Sequence, residues 1–358
     1  MSLAPLLAGR SVVICAGAGG VGKTTIAAAV ALGLAARGAV VAVVTIDPAK
    51  RLAGALGLQE LDNEPRLIES ARFPGLPCSG ELWAMTLDPK RTFDELIDAV
   101  APSAQRAQEV KANRVYRALS GAVAGSQEFT AIAKLYELSR SGRFDVVVLD
   151  TPPTHSALEF LDAPARLESF LEGRALRAFV RPAGLGMRVA ALGAAPLFAA
   201  LKRVTGIDLI GELIGFFSLL GGMTEGFRAR ARDVDALLHA EQTGFLVVSA
   251  PQAGPTDEAI WFRRTLAQAG LPFAGAVVNR VHTPLPRGEV ALDLAPDLAA
   301  KVAATAREHA LLAARDAANI DRTREALSGE PVLLVGELDA DMDAVQGLLG
   351  VRAALFDR

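Results

Sequence analysis

The stretch ICAGAGGVGKTT, Ile14 to Thr25, carries the most explicit chemistry in the chain. Gly17-x-x-x-x-Gly22-Lys23-Thr24 has the residue types and spacing of a phosphate-binding loop. Gly17, Gly19, Gly20 and Gly22, with Val21 between them, let successive backbone N–H groups converge on phosphate oxygens without Cβ clashes. A helix starting at Thr24 and Thr25 would add its positive dipole end. Lys23 would reach the β- and γ-phosphates, and the Thr24 hydroxyl would ligate Mg²⁺. The expected ligands are therefore a nucleoside di- or triphosphate with Mg²⁺.

Hydrolysis needs a second carboxylate near the metal and a group that orients water on the γ-phosphate. Asp150 ends the apolar run VVVL and is placed for the metal, through water. Asp47 ends VVAVVTI and is the candidate for positioning or deprotonating the attacking water. The competing reading of each is a strand-end aspartate that caps the next helix.

These residues must be held by a sheet, and the pattern supplies one. SVVICA, VVAVVTID, DVVVLD, GFLVVSA, GAVVNR and PVLLVG are short, continuously apolar runs, and helical patterns lie between them. Such runs suit parallel strands covered on both faces. The expected fold class is α/β, a doubly wound and mostly parallel sheet with ligands at the carboxyl ends of its strands. Two stretches break the rhythm with helical patterns, about 89–140 and 158–240. The first includes SQEFTAIAKLYEL, where Phe129, Ile132 and Tyr136 share a face. The expectation is a nucleotide-binding core of about 1–88, 141–157 and 241–358 with a helical subdomain inserted into it.

Composition bounds the partners. The formal charge of -3 and the lack of a long basic stripe argue against nucleic acid. With only Cys15 and Cys78, in no paired spacing, neither a disulfide framework nor a thiolate metal site is expected. Cys15 reads as a packing residue of a core strand. His155, His239, His282 and His309 lack metal spacing. The longest apolar run, Val189 to Leu201, is interrupted by Pro196 and falls short of the twenty or so residues a membrane span needs. MSLAPLLAGR is too short and too weakly basic for a secretory signal, so a cytoplasmic location is the expectation.

GAGGVGKTT, TIDPAKRLAGALGL and DTPPTHSALEFLDAP resemble, in order and spacing, the ArsA-type ATPases. That family includes the arsenite-pump ATPase and the ATPase that targets tail-anchored membrane proteins, within the deviant phosphate-loop branch that also holds MinD, ParA and the nitrogenase iron protein. ELWAMTLDPKRTFDELI and SGAVAGSQEFTAIAKLYEL look like the bacterial anion-transporting ATPase subgroup. The resemblance covers nearly the whole chain. It implies ATP or ADP with Mg²⁺ as ligands, Lys23 and Thr24 for phosphate and Mg²⁺, Asp47 as the switch I carboxylate, Asp150 as the start of switch II, and Asn279 on the adenine edge. The bland reading of Asn279 is a loop-start residue.

Three departures stand out. Ala18 replaces the family's signature lysine, which reaches the nucleotide of a partner subunit. There is no Cys-x-x-Cys pair to hold a dimer on zinc. No cysteine cluster suits a soft trivalent ion such as arsenite. The resemblance thus implies an ATP-switched homodimer, or a heterodimer with a lysine-bearing paralogue. The apolar segment 171–227 is either a groove for an apolar-helix client or internal core. Alternatives are the energising subunit of an anion efflux system and a MinD-like scaffold. The tail AVQGLLGVRAALFDR is too weakly cationic for good membrane docking.

Overall fold

The structure, a computed structural model, describes residues 2–47, 49–119, 126–152, 216, 219, 221–285, 295–338 and 343–357. Side chains are described for the same residues except 118–119 and 126–130. By its internal contacts the chain divides into two compact units. One comprises Met1–Thr86, Leu138–Ala157 and Leu238–Arg358; the other comprises Leu87–Glu137 and Leu158–Leu237.

The first unit is built on an eight-stranded sheet: β1 (Val12–Gly17), β2 (Val40–Thr45), β3 (Arg66–Ile68), β4 (Glu81–Thr86), β5 (Val146–Asp150), β6 (Thr243–Ser249), β7 (Phe273–Val281) and β8 (Val332–Gly336). The strand order is β3-β4-β2-β5-β1-β6-β7-β8, and every pairing is parallel except that of β3 with β4. As expected from the apolar runs, the central strands β1, β5 and β6 are buried along their whole length. From β1 the chain crosses over β5 to reach β2, whereas β6 lies on the other side of β1. The carboxyl ends of β1, β5 and β2 thus meet at the point where the winding reverses, the usual ligand site of an open α/β sheet.

Two strands escape a search for continuous apolar runs. β4 reads Glu-Leu-Trp-Ala-Met-Thr and mixes exposed with buried positions, because only the short strand β3 flanks it on one side. β3 contributes just Arg66, Leu67 and Ile68, the first two of them exposed.

Between β1 and β2 runs α2 (Lys23–Ala36), following the short α1 (Ala4–Leu7); α3 (Arg51–Ala55) follows β2. Ile26 through Leu32 are all fully buried, which explains why α2 is apolar on every side and built mainly from alanine. One wall of its pocket is the C-terminal helix, Ala344–Phe356. Its Phe356 ring lies so close over Gly33 that a Cβ there would sit 2.2 Å from a ring carbon. Leu348, Val351 and Leu355 of the same helix are buried in the core with α2. The apolar face of the tail is therefore occupied inside the unit. Arg37 of the turn after α2 donates to the Phe356 carbonyl at 2.9 Å and ties the two helices at their ends.

In the second unit the described helices are α4 (Pro89–Val100), α5 (Ala104–Ala112), α6 (Arg114–Leu119), α7 (Ser126–Arg140, whose last turn belongs to the first unit) and α8 (Thr224–His239). Asp88 and Ser103 cap α4 and α5 through their side-chain oxygens. Lys134 is buried but held by Glu95 at 3.0 Å and Glu137 at 2.9 Å, so its charge has two partners. Ile132 is buried and Tyr136 lies under the Arg230 guanidinium; the side chain of Phe129 lies outside the described residues. Most of the apolar segment 171–227 also lies outside them, although Phe216, Met223 and Phe227 are buried. Among the described residues no helix is long and apolar enough to cross a membrane.

The remaining helices belong to the first unit: α9 (Ala253–Gln268), α10 (Pro296–Ala326) and α11, the C-terminal helix already described.

Candidate functional site

Gly17 ends β1, and the glycine turn runs from there into α2. A Cβ on Gly17 would lie 1.9 Å from the Val248 carbonyl oxygen of the paired strand β6, so only glycine fits. Gly19 and Gly20 are exposed, whereas Val21 anchors the turn in the core. Gly22 takes a left-handed conformation (φ 89°) at the start of α2, and no side chain caps the helix. The first-turn N–H groups of Lys23, Thr24 and Thr25 therefore keep their donor capacity for a ligand.

Lys23 is 8% exposed, and its ammonium donates to the Ala18 carbonyl at 2.7 Å, folding back over its own loop. Burial lowers its pKa; Asp150, Glu258 and Asp47 act against that and Arg51 acts with it. Ala18 itself is 4% exposed and packs with the core. The position that would carry a signature lysine holds a buried methyl group.

Asp150, at the tip of β5, is 2% exposed. One of its oxygens, Oδ2, accepts from the Thr24 hydroxyl at 2.7 Å and the Thr45 hydroxyl at 2.9 Å. The other, Oδ1, is buried with no hydrogen-bond partner among the described residues. Burial raises the carboxyl to about 6, against the lowering effects of the two hydroxyls and of Lys23. Lys23 and Asp150 thus shift in opposite senses, each toward its neutral form. Desolvation outweighs their mutual attraction.

That orphaned oxygen is what a divalent cation or its bound water would satisfy. Mg²⁺ is typically held by one or two carboxylates plus substrate phosphates, and it keeps several waters. Thr24 and Asp150 fit that donor set. Among the described residues no group of three or more His, Cys, Asp or Glu could hold a metal by itself, so phosphate oxygens would have to complete the shell.

Asp47 lies two residues beyond β2. Its Oδ1 accepts the Ala49 N–H at 2.9 Å, and its Oδ2 pairs with Arg51 at 3.2 Å. It thus shapes the turn before α3 without capping that helix, which starts after Lys50 with no side-chain cap, while its charge also acts on Lys23 and Asp150. Asn279 is buried in β7, and its side-chain amide donates to the Val21 carbonyl at 2.9 Å. A Cβ on Gly22 would lie 2.4 Å from that same nitrogen. In this structure Asn279 braces the loop through one amide hydrogen, and a side-chain amide also carries a second hydrogen and an acceptor oxygen with which to meet a base edge.

Thr45 was not singled out by residue pattern; the only signal is a hydroxyl ending an otherwise apolar strand. Glu258 of α9, whose charge acts on Lys23, carries no motif either. Cys15 is buried in the core, where burial pushes its thiol well above the usual range, and Cys78 is half-buried. His239 and His309 contact the Ala269 and Thr283 carbonyls, and His282 pairs with buried Asp316. His155 lies outside the described residues.

A glycine-rich turn between β1 and α2, at the carboxyl edge of a mostly parallel sheet, defines a P-loop NTPase fold. Within that class the chain belongs to the ArsA, or anion-transporting ATPase, family, whose model matches residues 10–287. It is 28% identical to the arsenical pump-driving ATPase of Acidiphilium multivorum over 342 residues, 94% of this chain and 48% of that protein. It is 33% identical to ATPase get3 of Schizosaccharomyces japonicus over 155 residues, 43% of this chain and 44% of that protein. An ATPase ASNA1 homolog of Babesia bovis is 27% identical over 269 residues, 75% of this chain and 66% of that protein. The chain spans about half the length of the first two of these relatives.

Proposed function

We propose that this chain is a Mg²⁺-dependent ATPase that binds ATP in the Gly17–Thr25 turn and couples its hydrolysis to a change in a dimer and in the helical unit. The observation that carries the reading is the convergence on Asp150: hydroxyls from the loop helix and from β2 occupy one carboxylate oxygen, and the other is buried without a partner. Family membership and the open first turn of α2 support it.

In this reading Lys23 leaves the Ala18 carbonyl for the β- and γ-phosphates, regaining the charge partner that burial denies it. The loop N–H groups hold the phosphate oxygens in line. Thr24 and Asp150 hold Mg²⁺, which when bound neutralises charge developing on the transferred phosphoryl group. Asp47 orients the attacking water and accepts its proton at a carboxylate oxygen. Asn279 keeps the loop braced through Val21 and offers the rest of its amide to the adenine edge. In this reading the occupant of the helical unit is a protein or membrane client, as the resemblance to the ArsA-type ATPases implies. An anion-efflux role is the second reading, favoured by the arsenical pump-driving relative. A buried Cys15 and a solitary Cys78 speak against arsenite as its ion.

The test is Asp47→Asn. ATP affinity should stay within a few-fold of wild type while turnover falls about 10²-fold or more. Unchanged turnover would remove Asp47 from the mechanism. The same variant loaded with ATP should retain a client through purification.

Because Ala18 brings no charge, the pure chain should turn over slowly. A cation supplied across an interface is worth about 10³–10⁵ in rate in related phosphoryl transfers. Ala18→Lys is therefore expected to raise turnover at least about tenfold, with a rate that depends on protein concentration. A rate equal to wild type would argue that no charge is missing at this position.

A further inference from the structure

Strand β2 reads Val-Val-Ala-Val-Val-Thr, and only its last residue is polar. Thr45 is 1% exposed, and a buried hydroxyl is costly unless it is hydrogen-bonded. This one is used twice. It donates to Asp150 Oδ2 at 2.9 Å, and it accepts the backbone N–H of Asp47 at 3.2 Å. The same Asp150 oxygen accepts the Thr24 hydroxyl. An unbroken path therefore runs from the first turn of α2, through the β5 carboxylate, to the residue that begins the chain beyond β2.

Strand pairing fixes the position: Thr45 is in register with Asp150 on one side and with Thr86 on the other. Valine has nearly the same shape and fills most of the other positions of this strand. Packing alone gives no reason for the hydroxyl here.

We propose that Thr45 is a positioning residue of the phosphate site, holding the Asp150 carboxylate and the Asp47 backbone in one fixed relation so that the metal side and the water side of the site move together. The inference rests on the Mg²⁺–ATP reading for its purpose, though not for its geometry. Removing the hydroxyl frees Asp150 Oδ2 of one of its two donors and leaves the Asp47 N–H without its acceptor.

The test compares Thr45→Val, which keeps the shape, with Thr45→Ser, which keeps the hydroxyl. In nucleotide-free protein, amide exchange of Asp47 followed by NMR should speed up about tenfold in Thr45→Val and return toward wild type in Thr45→Ser. Amides in the middle of β2 should stay protected in both, which shows that the strand is intact. In steady-state hydrolysis, the Mg²⁺ concentration giving half-maximal rate should rise about tenfold or more in Thr45→Val, the size expected for losing a hydrogen bond to a charged group. The KM for ATP should change by less than about threefold, because the loop and Lys23 are untouched, and Thr45→Ser should restore the Mg²⁺ dependence.

Where wild type hydrolyses ATP, both readouts must move in Thr45→Val. Either one remaining at its wild-type value overturns the inference, as does a serine variant as impaired as the valine. Wild-type protein that fails to take up ATP would instead defeat the functional reading, and amide exchange alone would then decide the role of Thr45.

Discussion

Lys23→Ala is expected to lower ATP turnover by at least about 10³-fold, the scale of removing a principal positive charge from a phosphoryl-transfer site. The fold should not suffer in proportion. In this structure the ammonium is buried, its pKa is lowered by that burial, and it donates to the Ala18 carbonyl of its own loop. The charge is thus costly without phosphates and favourable with them. Thermal unfolding without nucleotide should show a variant within about 1 kcal/mol of wild type, since trimming the buried stem offsets relief of the desolvated charge. The rise in melting temperature that Mg²⁺ and ATP give the wild type should vanish, because that rise depends on binding to the folded state alone. A variant that unfolds without ligand would show Lys23 to be structural.

Asp150→Asn should produce an opposed pair of effects. Turnover and Mg²⁺-dependent ATP binding should fall by about 10²–10³-fold, since an amide supplies no charge for the cation. Stability of the nucleotide-free chain should rise. Burial lifts the Asp150 carboxyl to about 6 from an unperturbed 3.8. Between about pH 4 and 6 the unfolded chain has lost this proton while the folded chain still holds it. Stability therefore declines as pH rises through that window, and the cost of burying the ionised form is fully present above about pH 6. Asparagine can accept both hydroxyl donors and never ionises. The variant should be more stable than wild type at pH 7.5 by about 1–3 kcal/mol, the lower figure allowing for an amide NH2 buried at the position where Oδ1 has no partner among the described residues, and should lack the decline between pH 4 and 6. Denaturant unfolding at pH 5 and pH 7.5 checks this. A destabilised variant at pH 7.5 would mean that the hydroxyls need a full negative charge to stay in place.

The same burial that makes this pair costly decided what was legible in the sequence. Central strands lie between two covered faces and must be apolar throughout, so runs such as VVAVVT and GFLVVS announce themselves. The turn at Gly17–Thr25 is equally plain, because Val248 and Asn279 press on Gly17 and Gly22 and leave glycine as the residue that fits. β4 has a short edge strand for a neighbour, mixes buried with exposed positions and so falls outside a search for apolar runs. Pairwise relations were less visible. No spacing rule brings Thr45 to Asp150, 105 residues away, or Asn279 to Val21, 258 residues away; strand order does. The amphipathic tail likewise gave no sign that its apolar face would close over α2.

The most direct check of the account is calorimetric titration of ATP into the pure nucleotide-free chain, with Mg²⁺ present and then with Mg²⁺ removed by a chelator. The account predicts one nucleotide per chain, binding that weakens markedly when the metal is removed, and no binding to Lys23→Ala. Heats no larger than dilution under both conditions, or ATP bound equally well by Lys23→Ala, would contradict it.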